Sequence, residues 1–282
     1  GRQRPPRREP RRGPGRGRST SWDIIANYDK SKGIVLSLPH ELPESYNSDT
    51  WLFGNVRYGT APGLSTRSLT GTFYLRNNAG DILISPTTGL PLRSASFIDR
   101  GYDRNPKYTV GITNTVKFKR MSLSALVDIR RGGDVYNATE QFLTARGLSM
   151  RTLDRNQPRV IKGVLRDGKE NTDNPTRNNI VIIPASDPSY YLGISEELFI
   201  EKNINWVRLR DVTFTYQLPQ NRFRNASVFL TGTDLLLKTN YSGLDPIVNG
   251  NSAATGGSGA AGVDYGNFPM PRGWNFGLKM GF

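Results

Sequence analysis

Arg272-Gly273-Trp274-Asn275-Phe276-Gly277-Leu278-Lys279-Met280-Gly281-Phe282 carries the clearest pattern in the sequence. Extended, it puts Trp274, Phe276, Leu278, Met280 and Phe282 on one face and Gly273, Asn275, Gly277, Lys279 and Gly281 on the other. Successive side chains of a strand point to opposite faces, so this unbroken alternation specifies one apolar and one polar surface. The length also suits a tilted strand that crosses a bilayer, which needs ~9–11 residues. A half-buried soluble strand alternates too. Aromatics at both ends of the apolar face, opposite Gly, Asn and Lys, are the form expected where one face meets lipid and the other a polar lumen.

Weaker versions of the pattern lie upstream. Tyr108, Val110 and Ile112 alternate with Thr109, Gly111 and Thr113 in a strand running to about Phe118. After the short polar turn Lys119–Arg120, Leu123, Ala125, Val127 and Ile129 alternate with Ser122, Ser124, Asp128 and Arg130, and Leu126 interrupts the polar face. Val212, Phe214, Tyr216 and Leu218 alternate with Asp211, Thr213, Thr215 and Gln217 until Pro219. Ala226–Leu237 reads as a further strand, and Gly33–Leu38, Trp51–Tyr58 and Leu69–Arg76 as earlier candidates, about eight in all.

The connections separate two architectures. Lys119–Arg120 and Pro219–Asn225 are short, whereas Asn77–Pro106, Arg131–Asn205 and Thr239–Pro271 are long. Compact soluble domains seldom hold irregular connections beyond ~12–15 residues. Outer-membrane barrels have short turns on one rim and long loops on the other. Strands counted back from Phe282 alternate in direction so that every long connection falls on one rim and every short one on the opposite rim.

Composition agrees and excludes other classes. The 282 residues include 12 Tyr, 12 Phe, 4 Trp and 30 Gly but no Cys and a single histidine, His40. Disulfide scaffolds, thiolate metal sites and sites that need two histidines are ruled out. No run approaches the ~18 apolar residues of a spanning helix. The net charge is +14, and half of it sits in residues 1–20, which hold eight arginines against Glu9. Such an Arg/Pro/Gly tract builds no core and reads as a disordered tail, of a composition that also suits translation outside the native frame, ahead of a barrel portion at residues 21–282.

Several stretches resemble the barrel of SusC/RagA-type TonB-linked outer-membrane proteins. They are Asn105–Thr115, Gly132-Gly133-Asp134-Val135-Tyr136-Asn137, Trp206–Pro219, Val228–Leu237, Tyr241-Ser242-Gly243-Leu244-Asp245-Pro246 and the terminal Phe282. The resemblance is best over residues 100–282. It implies an all-β fold, a C-terminal section of a large antiparallel transmembrane β-barrel of the kind that closes at about 22 strands around a plug. The family's signal peptide, plug and TonB-contacting segment have no counterpart in this sequence, so TonB would act only through a plug outside it. By the same resemblance the function is uptake of oligosaccharide or peptide across a Gram-negative outer membrane, beneath a SusD-like surface lipoprotein. Trp274, Phe276, Leu278, Met280 and Phe282 would form the closing strand read by the outer-membrane assembly machinery.

Other candidate sites are bland. Asp167–Asn174 gathers oxygen ligands without the Gly-six, Glu-twelve spacing of a calcium loop, and reads as an Asx-rich turn. His40 lies in a loop with nothing to complete a triad. Glu196 and Glu197 point different ways and make no paired acid/base site, and Gly256-Gly257-Ser258-Gly259 lacks the Lys-Ser/Thr of a phosphate loop. No enzyme chemistry and no cofactor follow. Tyr190 and Tyr191 are the candidate ligand-contacting loop aromatics. A soluble β-sandwich binding module and a nucleic-acid-binding protein acting through the arginine tail are the readings from other classes. The tail has no aromatic for base stacking, which weighs against the latter.

Overall fold

The computed structural model describes residues 20–42, 46–51 (as backbone), 56–187, 189–219, 226–248 and 261–281. The arginine tail to Ser19, the Gly256–Gly259 stretch and Phe282 lie outside the described residues.

Six long strands form one antiparallel sheet: β1 (Thr20–Asp29), β2 (Tyr108–Phe118), β3 (Met121–Arg131), β4 (Trp206–Gln217), β5 (Ser227–Thr239) and β6 (Gly273–Lys279). They are neighbours in chain order, an up-and-down wall. Five are strands the alternation indicates. The sixth, β1, takes the place of Gly33–Leu38, where only an isolated bridge, Ile34 to Ser65, forms.

The register shows why these residues form a wall. Trp22, Val116, Leu123, Phe214, Leu230 and Phe276 are successive cross-strand partners, an apolar row across all six strands. Each is 41–77% exposed. One residue along each strand, Asp23, Thr115, Ser124, Thr213, Thr231 and Asn275 form an equally continuous polar row on the other face. Within it Thr115 and Ser124 hydroxyls lie 3.1 Å apart, and those of Thr213 and Thr231 2.9 Å apart. In a soluble sandwich the apolar face would be buried against a second sheet. Here the described residues provide no such layer, and aromatic and aliphatic side chains stand free across the sheet. Lipid is the solvent that suits them. From Phe118 to Tyr108, the ten steps between eleven residues, at ~3.3 Å each with a ~40° tilt, span ~25 Å, the height of a barrel's apolar band.

Both short connections share a rim. Lys119, in the left-handed region at φ 52°, turns β2 into β3, and Leu218 N donates to Ala226 O at 2.8 Å where β4 passes to β5. The ends of β1, β3 and β5 and the starts of β2, β4 and β6 lie at the opposite rim, with every long connection. In β4 the pairing jumps between Leu209 and Asp211: Arg210 is the extra residue against β3, whereas β5 sets two residues, Asp234 (φ 50°) and Leu235, opposite it.

The long connections are folded. A four-stranded sheet (Tyr46–Trp51, Val56–Thr60, Ser68–Gly71 and Ile98–Asp103) packs with the helix α1 (Ala138–Ala145) and the segment about Ile200. Trp51–Tyr58 and Leu69–Arg76 thus contribute to this outer sheet and not to the wall. The molecule's apolar core lies here. Val56, Leu69, Phe73, Tyr102, Tyr136, Ala138, Phe199, Ile200 and Val263 form one cluster, and Val135, Ile204, Trp206, Tyr241 and Val248 a second. Chain segments far apart in sequence thereby build a packed cap on the long-loop rim.

Candidate functional site

The stretches that carry the resemblance meet where cap joins wall. Gly132 and Gly133, at φ 76° and 89°, leave β3 in a conformation that favours glycine. A Cβ on Gly133 would also stand 3.0 Å from the Arg104 carbonyl oxygen and 3.1 Å from that of Asn105. Asp134 accepts from Asp103 N at 2.9 Å and from Asn203 N at 3.0 Å, fastening three segments. Arg130 donates to Arg104 O at 3.0 Å and lies 4.8 Å over the Trp206 ring.

Arg208, 2% exposed, donates to Asp234 Oδ1 at 3.0 Å and to Asp245 Oδ1 at 2.5 Å. Asp245 also accepts from Ile247 N at 2.9 Å and Met270 N at 3.1 Å. In the same loop Tyr241 donates to Asp264 Oδ2 at 2.6 Å. Burial, then the Asp264 charge, pushes the Tyr241 hydroxyl far above its ordinary value. A Cβ on Gly243 would meet the Tyr241 ring at 2.4 Å, so glycine is required by close approach. Sequence reading recorded these stretches singly and missed their pairing. An arginine beside Trp206 on the polar face of β4, ahead of a Gly-Leu-Asp-Pro turn, was the available signal.

Glu196 and Glu197 begin a 3-10 turn, Glu196–Phe199, and do diverge. Glu196 pairs with Arg93 and accepts from Gln141 Nε2 at 3.1 Å. Glu197 pairs with Arg76 at 2.9 Å. Glu196 thus joins α1 to the segment between the outer-sheet strands Ser68–Gly71 and Ile98–Asp103, and Glu197 holds that same segment through Arg76. Burial, then the Glu197 charge, pushes the Tyr102 hydroxyl up to about 12.

Tyr190 and Tyr191 lie on a one-turn helix, Ser189–Leu192, with ring centroids 4.9 Å apart, edge to face. Tyr190 lines a cavity of about 470 Å³ with Tyr74, Leu90, Ile161 and Ile194. Arg159 lies 5.8 Å over the Tyr190 ring. The structure therefore brings Tyr190 to a cavity wall and sets Tyr191 behind it as a packing partner. A second cavity of about 500 Å³ was not foreseen. Asn137, Thr139, Ser242, Leu244, Asp264 and Phe268 line it, and Phe268 is 95% exposed.

In the Asp167–Asn174 loop the oxygens serve the backbone. Asp167 accepts from Lys169 N at 3.0 Å, Glu170 from Gly168 N at 2.7 Å and Asn171 from Asn78 N at 2.8 Å. Bonds from the Thr176 hydroxyl and Lys169 N hold the Asp167 carboxyl below its usual range. His40 is exposed in a turn. Trp274, Phe276, Leu278 and Met280 are exposed, the first three on the apolar face of β6 and Met280 just beyond it.

A two-faced antiparallel wall with short turns on one rim and a folded cap on the other is the architecture of an outer-membrane β-barrel. No family model matches the chain. Its curated relatives include TonB-dependent receptor P26 of Formosa agariphila, 26% identical over 229 residues, which are 79% of this chain and 21% of the relative. TonB-dependent receptor P3 of the same organism is 26% identical over 190 residues, 64% and 17% of the two chains. Solved structures of the RagAB peptide transporter, and of the RagAB peptide importer in its open-open state, superpose with TM-scores of 0.54 and 0.55 at 16% identity. They cover 93% and 94% of this chain and 27% of theirs. The chain thus spans about a fifth of the curated relatives' length. It is thus similar to part of the barrel of SusC/RagA-like TonB-dependent transporters.

Proposed function

We propose that this chain serves as part of a TonB-coupled importer of oligosaccharides or peptides in a Gram-negative outer membrane. The observation that carries the reading is the pair of unbroken rows, apolar on one face and hydroxyl-rich on the other, across six strands. The apolar face meets lipid and the polar face lines the lumen. Coupling to TonB runs through a plug that these residues do not supply. A SusD-like lipoprotein seats on the cap, a partnership supported by the likeness to RagAB. Of the two loop aromatics, Tyr190 contacts ligand at the cavity wall and Tyr191 holds its ring in place. Trp274, Phe276, Leu278, Met280 and Phe282 form the strand that the assembly machinery reads.

The test is the mass and location of the native product, detected with an antibody against residues 241–270. An outer-membrane band well above 31.4 kDa is expected. A soluble product of 31.4 kDa would overturn the reading and favour a binding module.

A further inference from the structure

The long-loop rim carries another surface, on the outside of the wall. Arg131, at the end of β3, pairs with Tyr108. Lys238, near the end of β5, pairs with Val207, which pairs in turn with Ile129. Cross-strand partners share a face. Both cations therefore stand on the apolar side, where the band of lipid-facing residues ends.

Arg131 and Lys238 line one cavity of about 400 Å³ together with Asn205, Asn240 and Val207. Its amides are already used. Asn205 Oδ1 accepts from Gly132 N at 3.1 Å, and Asn205 N donates to Asn240 Oδ1 at 2.7 Å. Both side-chain amides donate to Asn203 O, at 2.6 and 3.1 Å. These bonds tie the ends of β3, β4 and β5 together, so backbone geometry fixes the two positions from which the cations extend. Both are exposed, and neither forms an ion pair among the described residues.

A preorganised cavity with two free cations and spent amides takes an anion. Its place on the wall identifies the source. Leu236, 64% exposed, and Val207 continue the apolar surface beneath it. Tyr28 and Tyr108 stack 5.8 Å apart at nearly the same height, as interface aromatics do. We propose that Arg131 and Lys238 clasp a phosphate on the headgroup of an outer-leaflet lipid whose acyl chains lie along Leu236 and Val207. This rests on the membrane reading above.

The test uses the protein purified from outer membranes in mild detergent, with lipid A as the probe and native mass spectrometry as the readout. Removing two cations near an anionic surface should weaken capture roughly thirtyfold, so Arg131→Gln with Lys238→Gln should lose it while Lys162→Gln keeps it. Swapping the charges between types, Arg131→Lys with Lys238→Arg, should preserve capture, which separates charge from misfolding. Dephosphorylated lipid A should bind poorly, and millimolar inorganic phosphate should not displace lipid A. Undiminished capture by the double Gln variant, equal capture of the dephosphorylated lipid, or displacement by free phosphate would each overturn the site. Failure of the wild-type protein to enter phosphatidylcholine bilayers would instead overturn the membrane reading.

Discussion

Arg208 and Asp245 are 37 residues apart in sequence and 2.5 Å apart in space, buried at the seam between wall and cap. Removing Asp245 leaves the buried Arg208 with Asp234 alone, so the loss should fall below the ~3–5 kcal/mol typical of a fully uncompensated buried charge. Asp245→Ala should therefore loosen the Tyr241–Pro246 loop, seen as early cleavage there in limited proteolysis. Adding Arg208→Met should cost less than the sum of the two single changes. Strict additivity would mean that the pair does not hold the seam.

Phe214 and Thr213 are adjacent in β4 and face opposite ways. An arginine in place of Phe214 meets lipid two residues from the short-turn rim and should cost about 1 kcal/mol of folding free energy in bilayers. The same arginine at Thr213 meets the lumen and should be tolerated. Equal penalties from denaturant titrations in vesicles would contradict the assignment of faces.

Deleting Trp274–Phe282 removes the partner of β5 along Ser227–Gly232. Insertion into outer membranes should then fall to background, whereas Gly281→Ala leaves it intact. Normal assembly of the deletion variant, followed by fractionation and heat-modifiable gel mobility, would remove the terminal strand from the assembly role.

Tyr190→Ala should weaken glycan or peptide binding about tenfold, since loss of an aromatic contact typically costs ~1 kcal/mol or more. Tyr191→Phe keeps the ring stack and should change affinity little. Calorimetry on the purified receptor distinguishes the two. Unchanged affinity in Tyr190→Ala would move ligand contact elsewhere, with the Phe268 cavity first in line.

Buried tyrosines make the cap sensitive to alkali. Tyr102 is pushed up to about 12, and Tyr136 and Tyr241 are also raised, each chiefly by burial. Their folded-state values exceed the ordinary value near 10, so the folded cap holds these protons longer than the unfolded chain. The associated stability is complete below about pH 10 and falls as pH rises through the raised values. Arg104, pushed down to about 10 by burial, opposes the trend, one group against three. Tyrosinate absorbance should show a late-titrating fraction that appears together with loss of cap structure. A single titration near pH 10 with the cap intact would refute this.

The wall was legible because its constraints are local. Period two shows in any strand that separates lipid from lumen, and Trp274–Met280 and Tyr108–Phe118 show it plainly. β1 carried the same signal in Trp22, Ile24, Ala26 and Tyr28, but Ile25 blurred the opposite face and the arginine tail lay alongside. The cap was illegible because its burial is not local. Val56, Tyr136 and Val263 meet in one cluster from segments separated by about a hundred residues, and its strands are mostly two to six residues long. Such pieces read singly as irregular loop. The Tyr190 position was reachable from the sequence as an exposed aromatic pair, whereas the Arg208 seam depended on register across a bulge.

The register also constrains how the wall can be continued. β1 rises from the short-turn rim and β6 descends to it, so the two outermost strands run antiparallel to each other. An all-antiparallel ring drawn through both of these edges can gain strands only in pairs. Its total circumference is therefore an even count, as in the barrels of about 22 strands that hold a plug. Any engineered splice that joins an odd number of strands to this wall would force one parallel seam, with its slanted hydrogen bonds.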